Sequence, residues 1–414
     1  MGSLFRHADF RRLFAGDAFS QLGMFVGMTA IPLLAATVLA ATPFQMGLLT
    51  ASEMLGFLLI GLPAGVWVDR MRRRPLMIAA DLTRAVLMLS VPIAWWLGVL
   101  TLAQVIVAVL LTGIATVFFD VSYQSYLPTL VGREHLVEGN AKLQAVQSTA
   151  VLAGPSTAGV LVQLVSAAST VLATGLGYLG SALCLLRIRA TEPEPERTEH
   201  DRLLPQMLEG LRFVFGSPTL RAITLCTATA NLFNGTFDAV RVLFLTRTAG
   251  LSPALVGALF AVSGVGGIVA ALVSGPVILR IGQARSIWLI PALTMPLTLL
   301  FPLVSQGWGL ALAAFGMVSS GFGIILYNVA QVSYRQAICP DRMLGRMNAS
   351  VRFIVWGAMP IGGLLGGVLG EAIGLTATVW VGLAGQTVAV FWVVCSPLRR
   401  MRDLPLTKVV SPAA

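Results

Sequence analysis

Four carboxylic acids interrupt long apolar stretches of this chain. Glu53 is the deepest in its apolar run, and no basic residue lies one helical turn from it in sequence; the other three are Asp17, Asp120 and Asp238. An ionisable side chain within an apolar helix is costly, and it usually marks an ion pathway or a buried pair. An unpaired carboxyl in such a position can bind and release a proton. We therefore predict that these acids take part in proton coupling, Glu53 first and Asp120 second. The alternative is a protonated structural acid or a hydrogen bond between helices.

Polar residues recur at helical spacing on several apolar runs, and the residues of each set share one face of a helix. The sets are Asn231, Asn234, Asp238 and Arg241; Asp17 and Gln21; Asp120 and Gln124; and Asn328, Gln331 and Arg335. In the first set, Asp238 and Arg241 can pair locally, which lowers the cost of placing both charges in apolar surroundings. Such faces predict the polar wall of a cavity that contacts a substrate. The alternative is hydrogen bonding between helices.

Large apolar side chains near these faces would give the same cavity an apolar surface. The candidates are Met24, Phe25, Met28, Phe118, Phe119, Tyr123 and Tyr327. Side chains of this kind also pack between helices in any helical bundle. Ordinary helix packing is therefore the alternative for each of them.

A short charged joint separates two of the apolar runs. Residues 65–74 have the sequence GVWVDRMRRR, with five charges among the six positions from Asp69 to Arg74. Basic residues at the end of a membrane helix fix its orientation, but an anchor of that kind requires neither Asp69 nor Gly65. We therefore expect this joint also to hold or release a packing interface. Nearby, Asp81 and Arg84 lie three positions apart and are predicted to form a structural ion pair.

The composition requires lipid around these elements. The chain has 414 residues, of which 56% are hydrophobic and only 11% are charged, whereas soluble domains carry about 25% charged residues. A helix needs about 20 apolar residues to cross a bilayer. We predict twelve such spans, at 13–39, 45–68, 76–98, 101–127, 141–164, 167–188, 219–246, 253–278, 286–304, 308–334, 349–371 and 375–396.

Basic residues are unevenly distributed among the connections between these spans. Every second connection carries Arg or Lys, whereas the connections near 40–44, 99–100, 165–166 and 305–307 carry no charge. This is the positive-inside pattern, and it places both termini in the cytoplasm. Arg247 is the basic residue that we expect on the outside. The net charge of +10 is therefore interpreted as membrane topology, and no nucleic-acid partner is expected.

A polar linker divides the chain into two similar halves. We assign 1–188 to the first six-helix half, 189–218 to a cytoplasmic linker with one amphipathic helix near 203–215, and 219–414 to the second half. Matching residues recur at a nearly constant offset. Thr42, Pro43 and Gly47 match Ser252, Pro253 and Gly257 at an offset of 210, and Gly154 and Gly159 match Gly362 and Gly367 at 208. The sequence thus predicts an internal duplication with parallel halves.

These segments resemble those of a known family. The joint at 65–74 resembles the pattern G-x-x-x-D-R-x-x-R-R of the major facilitator superfamily. The fifth span resembles the helix 5 pattern G-x-x-x-G-P-x-x-G-G of proton-coupled exporters, through Gly154, Pro155 and Gly159. Segments 128–134, 210–218 and 344–348 are similar to loops of the enterobactin-exporter and macrolide-exporter branch. One departure is that 109–113 lacks the Arg of the helix 4 pattern R-x-x-Q-G.

The resemblance implies an all-α membrane protein of twelve transmembrane helices in two pseudo-symmetric six-helix bundles. It also implies a central cavity lined by helices 1, 4, 7 and 10, and a conformational latch in which Asp69 meets the cytoplasmic end of helix 11. Since we predict that helix 11 begins near Ala349, Arg352 is expected in its first turn, where the helix dipole favours an acid. The residues of the predicted latch are Gly65, Asp69, Arg70, Arg73, Arg74 and Arg352, with Arg73 and Arg74 also serving as anchors.

The expected function is secondary active export of small amphipathic compounds, such as drugs, antibiotics or siderophores, in exchange for protons. The chain is expected to act as a monomer in the bacterial inner membrane, with the substrate, protons and the lipid bilayer as its partners. A lipid or lysophospholipid transporter is one alternative, and a membrane sensor without transport is another. The sequence has no nucleophile-and-base pair, metal-ligand cluster or phosphate-binding loop. We therefore expect no enzyme activity, no cofactor and no metal.

Overall fold

The described part of the chain is helical and contains no strand. The computed structural model describes residues 3–132, 135–190, 192, 203–305 and 307–403. Its helices are α1 (Ala8–Thr37), α2 (Pro43–Asp69), α3 (Arg73–Trp96), α4 (Leu102–Val131), α5 (Leu136–Leu164), α6 (Ala167–Leu186), α7 (Leu203–Gly216), α8 (Pro218–Leu243), α9 (Pro253–Ile281), α10 (Gln283–Thr294), α11 (Trp308–Ile338), α12 (Asp341–Ala372), α13 (Leu375–Val388) and α14 (Phe391–Val394). Shorter turns are the 3₁₀ segments Ser3–Arg6, Pro296–Leu303 and Pro397–Arg400, and a π-helical turn at Phe244–Thr248.

Local sequence starts equivalent helices in the two halves. Thr42 accepts a hydrogen bond from the backbone N–H of Gln45, and the Gln45 side chain accepts one from the N–H of Thr42, which together form a capping box. Ser252 caps the start of α9 in the same way through its hydroxyl. Pro43 and Pro253 occupy the first helical positions, where no N–H is needed. The repeated Thr/Ser–Pro pair therefore begins α2 and α9.

Several predicted spans differ from the helices that form. The predicted span 349–371 lies within a longer helix, because α12 already begins at Asp341. The predicted span 286–304 is divided into α10 and a 3₁₀ segment, since Pro296 has no N–H to continue the helix. The predicted span 375–396 is likewise divided into α13 and α14. The amphipathic helix expected in the linker is confirmed as α7.

Eleven segments of the described chain are long and apolar enough to cross a bilayer. The remaining predicted span, 219–246, corresponds to α8 and the π-helical turn and is not among them. α8 carries the polar face from Asn231 to Arg241, but its 26 residues are sufficient to span a bilayer. It packs against α12 and α13, which shield one side of it. The chain is therefore a multi-pass membrane protein.

The helices form two bundles, which confirms the predicted fold class. In the first bundle, α1 packs against α5 and α6, α3 against α4 and α6, and α2 against α4. In the second, α8 packs against α12 and α13, and α11 against α9 and α10. α7 packs against α12, where Glu209 forms an ion pair with Arg346. The bundles meet where α2 contacts α12 and α8, and where α5 contacts α9.

The helix connections lie at two ends of this pair of bundles. The end that holds connections 70–72 and 339–340 and residues 187–190 after α6 is called the basic end, after its arginines. The end that holds connections 38–42, 249–252 and 373–374 is called the opposite end. At the opposite end, the first turns of α2 lie against the last turns of α12, and the first turns of α9 lie against α5. The bundles therefore touch closely at the opposite end.

Candidate functional site: a cavity between the two bundles

A cavity of about 340 Å³ lies between the bundles, toward the basic end. α2 and α4 form its wall on the first bundle, and α12 forms its wall on the second. The rings of Phe57 and Trp356 meet across it with centroids 5.3 Å apart. Asp120 and Gln124 line the α4 side, and Arg352 lines the α12 side. The cavity thus offers an aromatic surface together with one charge of each sign, which suits an amphipathic molecule.

Asp120 and Arg352 face this cavity from different bundles. The charges of Arg84 and Arg352 both act on Asp120. Arg352 itself is exposed, with its guanidinium carbon 5.9 Å from the ring centroid of Trp356. The expectation that Arg352 lies in the first turn of its helix is wrong, because α12 begins eleven residues earlier, at Asp341. The helix dipole acts only within the first turn, so the N-terminus of α12 does not add positive charge at Arg352.

A second group of charges lies where α2 meets α8. Arg241 forms an ion pair with Asp238 at 3.0 Å, and Asn234 donates a hydrogen bond to the other carboxylate oxygen of Asp238 at 3.0 Å. The charges of Asp238 and Arg241 act on Glu53 from across the interface. Glu53 has no cation on its own helix, as the sequence indicated, but the other bundle supplies one. Carboxyls of both bundles and one guanidinium therefore share the interface.

The ion pair in this group has imperfect geometry. Asp238 Oδ1 lies within ion-pair distance of Arg241 but is buried without a hydrogen-bond donor among the described residues. Arg241 Nε is also buried without an acceptor there. The guanidinium carbon lies 4.1 Å from the ring centroid of Phe260 on α9, a cation–π contact. Because the pair is incompletely satisfied, a change of charge at Glu53 alters the balance of a group that already has spare donors and acceptors.

The polar face of α8 lines two adjoining pockets inside the second bundle. The larger, of about 260 Å³, is lined by Asn231, Asn234, Tyr327 and Asn328 among others. The smaller, of about 130 Å³, is lined by Asn234, Asp238 and Arg241 among others. Asn234 and Gln386 belong to both pockets, so the two are neighbours. The polar face of α8 and Asn328 of α11 are thereby brought to one region.

Some residues of these stripes already have partners. Asn231 donates to the backbone carbonyl of Val355 at 2.9 Å, which ties α8 to α12. The hydroxyl of Tyr327 lies 2.9 Å from that of Thr227. Gln331 is buried and donates to Asn328 at 3.3 Å, and it does not line either pocket. The hydrogen-bonding alternative therefore describes Gln331 and Asn231 at least as well as substrate contact does.

One predicted acid of the first bundle, Asp17, does not line the cavity. Asp17 is 4% exposed and accepts a hydrogen bond from Gln21 at 3.5 Å. The phenol of Tyr123 faces Asp17, and its hydroxyl is buried without a hydrogen-bond partner among the described residues. The charges of Asp120 and Asp81 act on Asp17. Asp17, Gln21 and Tyr123 thus form a polar group inside the first bundle, and they line none of the cavities described above.

Most of the predicted apolar cavity residues of the first bundle are used in packing. Phe119 is buried and stacks on Tyr123, with ring centroids 5.9 Å apart. Phe25 packs against Gly154 of α5, and Met24 packs against the main hydrophobic core. Met28 is 45% exposed. The packing alternative is therefore the better description of Phe119, Phe25 and Met24, because their helix faces are rotated toward neighbouring helices.

The predicted ion pair between Asp81 and Arg84 is confirmed, and both side chains are almost completely buried. The guanidinium of Arg84 lies between two rings, at 4.2 Å from the centroid of Phe119 and 4.4 Å from that of Tyr178. It also donates to the hydroxyl of Thr116 at 3.4 Å. These contacts join α3, α4 and α6 in the core of the first bundle.

The helix 5 residues lie at helix contacts. Gly154 lies against Phe25 of α1 within the first bundle, and Gly159 lies against Gly257 of α9 in the second. The backbone carbonyl of Pro155 also faces Gly257. Because a side chain at these glycines would meet the neighbouring helix, small residues let the helices approach closely. This segment therefore forms part of the contact between the bundles.

The structure describes the side chains of only part of the charged joint between α2 and α3. Gly65 and Asp69 fall outside the residues whose side chains the structure describes, so their part of the predicted latch stays a prediction. Arg70 is exposed. Arg74 donates to the carbonyls of Leu185 and Leu186, at 3.0 and 2.8 Å. Those carbonyls belong to the last turn of α6, where helix carbonyls lack their regular partners; that of Leu185 also accepts the N–H of Ile188 at 3.2 Å. Arg74 therefore acts as a structural cap of α6, above all at Leu186.

The linker contributes a matching cap at the same joint. The carboxylate of Glu192 accepts the backbone N–H groups of Arg73 and Arg74, at 2.7 and 3.1 Å. These are the first N–H groups of α3, where an anion is favoured. Glu192 was not among the residues predicted from sequence. No periodic pattern links residue 192 to residue 73, so only the folded chain reveals this contact.

Sequence reasoning also missed the aromatic pair of the cavity. Trp356 follows Arg352 by one helical turn, and Phe57 follows Glu53 by one helical turn. Side chains four positions apart share a helix face. The aromatic residues one turn from each predicted charge were therefore a usable indication. The family resemblance instead implies a cavity lined by helices 1, 4, 7 and 10, which are α1, α4, α8 and α11 here, whereas Phe57 and Trp356 lie on α2 and α12.

Two helical bundles with a polar and aromatic cavity between them define a membrane transporter. The chain belongs to the Major Facilitator Superfamily, whose family model matches residues 13–361.

Similar proteins of known name include exporters. The chain is 27% identical over 387 residues to the enterobactin exporter EntS of Escherichia coli O127:H6 (strain E2348/69 / EPEC), covering 89% of this chain and 84% of that protein. It is 25% identical over 336 residues to the multidrug efflux pump Tap of Mycolicibacterium fortuitum, covering 78% of this chain and 80% of that protein.

Solved structures share the fold at lower identity. The nucleoside transporter NupG superposes with a TM-score of 0.77 at 10% identity, over 95% of this chain and 99% of that chain. A bacterial homologue of the iron transporter ferroportin in the inward-facing state superposes with a TM-score of 0.76 at 17% identity, again over 95% and 99%. These likenesses establish the fold alone.

Proposed function

We propose that this protein is a secondary active exporter of the bacterial inner membrane. It moves small amphipathic compounds out of the cytoplasm by alternating access, in exchange for protons. The names of its two relatives, an enterobactin exporter and a multidrug efflux pump, support export as the direction. Drugs, antibiotics or siderophores are the proposed class of substrate.

The observation that carries the proton coupling is the group formed by Glu53, Asp238 and Arg241. Glu53 belongs to the first bundle and the other two belong to the second, and their charges act on one another across the interface. Movement of the bundles changes the distance between these groups. Protonation of Glu53 removes its attraction to Arg241 and its repulsion of Asp238. Gain or loss of one proton thus biases the relative position of the bundles.

The available energy is sufficient for such coupling. Moving one charge across a membrane potential of 100 mV is worth about 2.3 kcal/mol. Two conformations that differ by a few kcal/mol are shifted by an effect of that size. One carboxyl that exchanges its proton between the two sides can therefore drive the cycle. Asp120, which lines the cavity beside Arg352, is the second candidate for this role.

The cavity between the bundles is the proposed substrate site. Phe57 and Trp356 supply an apolar, aromatic surface, and Asp120, Gln124 and Arg352 supply polar contacts. A molecule with an apolar body and a polar or charged group matches this arrangement. The pockets beside Asn234 extend the polar surface into the second bundle.

We also propose the sidedness and the state of the molecule. The basic end faces the cytoplasm according to the distribution of arginines. The bundles touch at the opposite end, while the cavity lies toward the basic end. This arrangement corresponds to a cytoplasm-facing state. The protein is a monomer. Its two moving units are residues 1–188 and 219–414, which are connected by 189–218.

The proposed latch at Asp69 concerns the other state. In that state Asp69 closes the cytoplasmic side against α12, which contains the predicted helix 11. An Asp69→Asn variant is expected to lose outward-facing population, measured as distances between spin labels placed on the two bundles at the basic end. Unchanged populations in Asp69→Asn would remove the latch from the proposal.

The decisive experiment is transport in proteoliposomes with an imposed pH gradient. The panel contains fluorescent dyes, antibiotics and a catecholate siderophore, with a lysophospholipid included to test the lipid alternative. We expect amphipathic compounds to accumulate on the side to which the gradient drives them, and to lose that accumulation when a protonophore collapses the gradient. Substrate movement at the same rate with and without the pH gradient would contradict proton coupling. Movement of the lysophospholipid alone would favour the lipid transporter.

A further inference from the structure

Arg247 joins the two bundles at the opposite end. It lies in the π-helical turn that follows α8, and its Nη2 atom donates to the carbonyls of Ala36 and Ala41, at 3.1 and 2.9 Å. Ala36 is in the last turn of α1, and Ala41 is in the connection to α2. The last carbonyls of a helix lack partners within it, and a cation is favoured there. Arg247 therefore caps α1 from the other bundle.

Glu371 makes the complementary contact at the next helix. Its Oε1 atom accepts the backbone N–H of Phe44 at 3.3 Å. Phe44 is the second residue of α2, where N–H groups are unpaired and an anion is favoured. The connection 38–42 is thus held at both of its helix ends by charges from the second bundle. Each charge has the sign that the helix end favours.

The same connection has a strained residue. Ala40 has a φ of 49° and is the non-glycine residue with positive φ in the described part of the chain. This region favours glycine, because a Cβ crowds the backbone there. The N–H of Ala41 donates to the carbonyl of Ala35 at 2.8 Å, as expected for a chain that reverses direction after a helix. Such strain persists where the surroundings hold the chain in place.

The internal repeat contains the same turn without the strain. At the offset of 210, Gly250 corresponds to Ala40 and has a φ of 64°. The N–H of Leu251 donates to the carbonyl of Leu245 at 2.9 Å, which matches the bond from Ala41 to Ala35. Glycine occupies the left-handed position in the second copy, and alanine occupies it in the first. The first copy therefore depends more on outside contacts to keep its shape.

The repeat also shows that the arginine is specific to one copy. Thr37 stands at the position that corresponds to Arg247. Its hydroxyl donates to the carbonyl of Leu33, within its own helix, at 2.7 Å. The turn around Arg247 is π-helical, with the N–H of Ala249 donating to the carbonyl of Phe244 at 2.9 Å. Turns of this type are rare in proteins, and those that occur are frequently found at functional sites.

We propose that Arg247 and Glu371 form a clamp that closes the opposite end, and that its release sets how often this end opens. The clamp rests on the proposed function in one respect, because its release is proposed to be a step of the transport cycle. The closed contact itself depends on neither the substrate nor the coupling ion. Arg247, which stands apart from the basic residues of the cytoplasmic connections, thereby has a role at the outer side.

The test measures the opening of the opposite end directly. Cys184, Cys226, Cys339 and Cys395 are replaced, and spin labels are attached to cysteines introduced at Val99 and Trp308. These sites lie at the opposite end on different bundles and are 63% and 88% exposed. Distances are measured in lipid nanodiscs without substrate and without a gradient. The ratio of long to short distances reports opening.

We expect R247A to raise that ratio about fivefold or more, since it removes two charge-assisted hydrogen bonds. E371Q is expected to act in the same direction with a smaller effect, because the amide oxygen still accepts a hydrogen bond. R247K is expected to lie between R247A and the parent. The matched control is Thr37→Val at the corresponding position of the other copy, which should leave the distances unchanged.

An unchanged distance distribution in both R247A and the double variant R247A/E371Q would overturn the clamp. Should R247A fold poorly, as judged by size-exclusion chromatography, R247K decides the question, because it keeps the charge and loses the two-carbonyl contact. A parent protein that transports nothing in the panel, but whose R247A variant opens, would reject the proposed function and keep the clamp. Proton-coupled transport by the parent, with no change in opening in R247A, would keep the proposed function and reject the clamp.

Discussion

Gly257 on α9 lies directly against Gly159 on α5, where a Cβ atom added at Gly159 would stand 3.0 Å from the Cα of Gly257. The same contact occurs once more between the bundles. A Cβ atom added at Gly367 on α12 would stand 3.0 Å from the Cα of Gly47 on α2. These four glycines are related by the offsets of 210 and 208 found in the sequence. The closed opposite end therefore contains two equivalent glycine contacts.

The neighbours of these glycines correspond as well. Gly159 faces Pro253 and Ala254, and Gly367 faces Pro43 and Phe44. Both pairs are the first two residues of their helices. Two equivalent contacts close the end symmetrically, as expected for parallel halves related by a pseudo-twofold axis along the membrane normal. The charged clamp of Arg247 and Glu371 is added to one of the two contacts only.

The glycine contacts predict a specific effect of adding one methyl group. Gly257→Ala places a Cβ against the carbonyl of Pro155 and the backbone of Gly159, so the bundles must separate at that point. Overpacking of this kind costs about 1–3 kcal/mol. We expect the closed opposite end to be weakened, measured as faster maleimide labelling of a cysteine introduced at Leu255.

The control for this change lies on the same helix. A Cβ added at Gly275 meets nothing within 4 Å, so Gly275→Ala should leave the labelling rate unchanged. Equal labelling rates in Gly257→Ala and Gly275→Ala would show that the glycine contact does not limit opening.

The fold could be predicted from sequence because its information is local or periodic. Apolar runs long enough to span a bilayer, the Thr42–Pro43 start signal and its copy at Ser252–Pro253 are all visible in one dimension. The contact of α2 with α12, however, depends on how the two halves face each other. The offset identifies equivalent residues, but it does not state that Gly47 meets Gly367.

The site could be predicted only in part. The spacing correctly predicts that the polar residues of α8 share one face, because residues three and four apart lie on the same side of a helix. The partners of Glu53 lie more than a hundred positions away in the other bundle, where no spacing rule applies. Whether Phe119 and Phe25 face the cavity depends on the rotation of their helices, which the sequence does not specify. α12 extends through the polar segment that starts at Asp341, which hydropathy alone does not assign to a helix, so Arg352 is not in its first turn.

The cap formed by Arg74 predicts a loss of stability that charge alone does not explain. Arg74→Ala removes hydrogen bonds to the carbonyls of Leu185 and Leu186, and a loss of about 1–3 kcal/mol is expected. Arg74→Lys keeps the charge that fixes membrane topology, but its single ammonium cannot reproduce the planar two-bond contact. The thermal unfolding midpoint in detergent should therefore fall in both variants.

The exposed Arg70 provides the comparison, since Arg70→Ala removes a nearby arginine without a described cap. Its unfolding midpoint should stay close to that of the parent. Full stability of Arg74→Lys would mean that the positive charge is sufficient and that the cap adds nothing.

The buried pair of Asp81 and Arg84 predicts non-additive effects. Asp81→Asn leaves the guanidinium of Arg84 buried without its carboxylate, at an expected cost of about 3–5 kcal/mol. The double variant Asp81→Asn/Arg84→Met removes the unpaired charge and should recover part of that loss. Thermal unfolding of the two single variants and the double variant forms a double-mutant cycle. A double variant that loses the sum of the single effects would show that the two side chains do not stabilise each other.

The charges shared by the bundles predict that Glu53 is required for coupling and is dispensable for binding. Glu53→Gln keeps the shape and the polarity of the side chain but cannot release a proton. Export driven by a pH gradient should fall at least tenfold, while exchange of labelled for unlabelled substrate, which needs no net proton movement, should continue. Both are measured in the same proteoliposomes. The matched control is Glu138→Gln, which changes an acid paired with Lys142 at the start of α5.

Comparison of the two assays separates the possible roles of this carboxyl. Loss of both activities in Glu53→Gln would indicate a structural acid, because a packing defect affects exchange as much as net export. Loss of gradient-driven export alone is the outcome that the interface with Asp238 and Arg241 predicts, since the second bundle then no longer responds to a proton on the first. Full gradient-driven export in Glu53→Gln would assign the coupling to another acid, and Asp120 beside Arg352 would be the next to test.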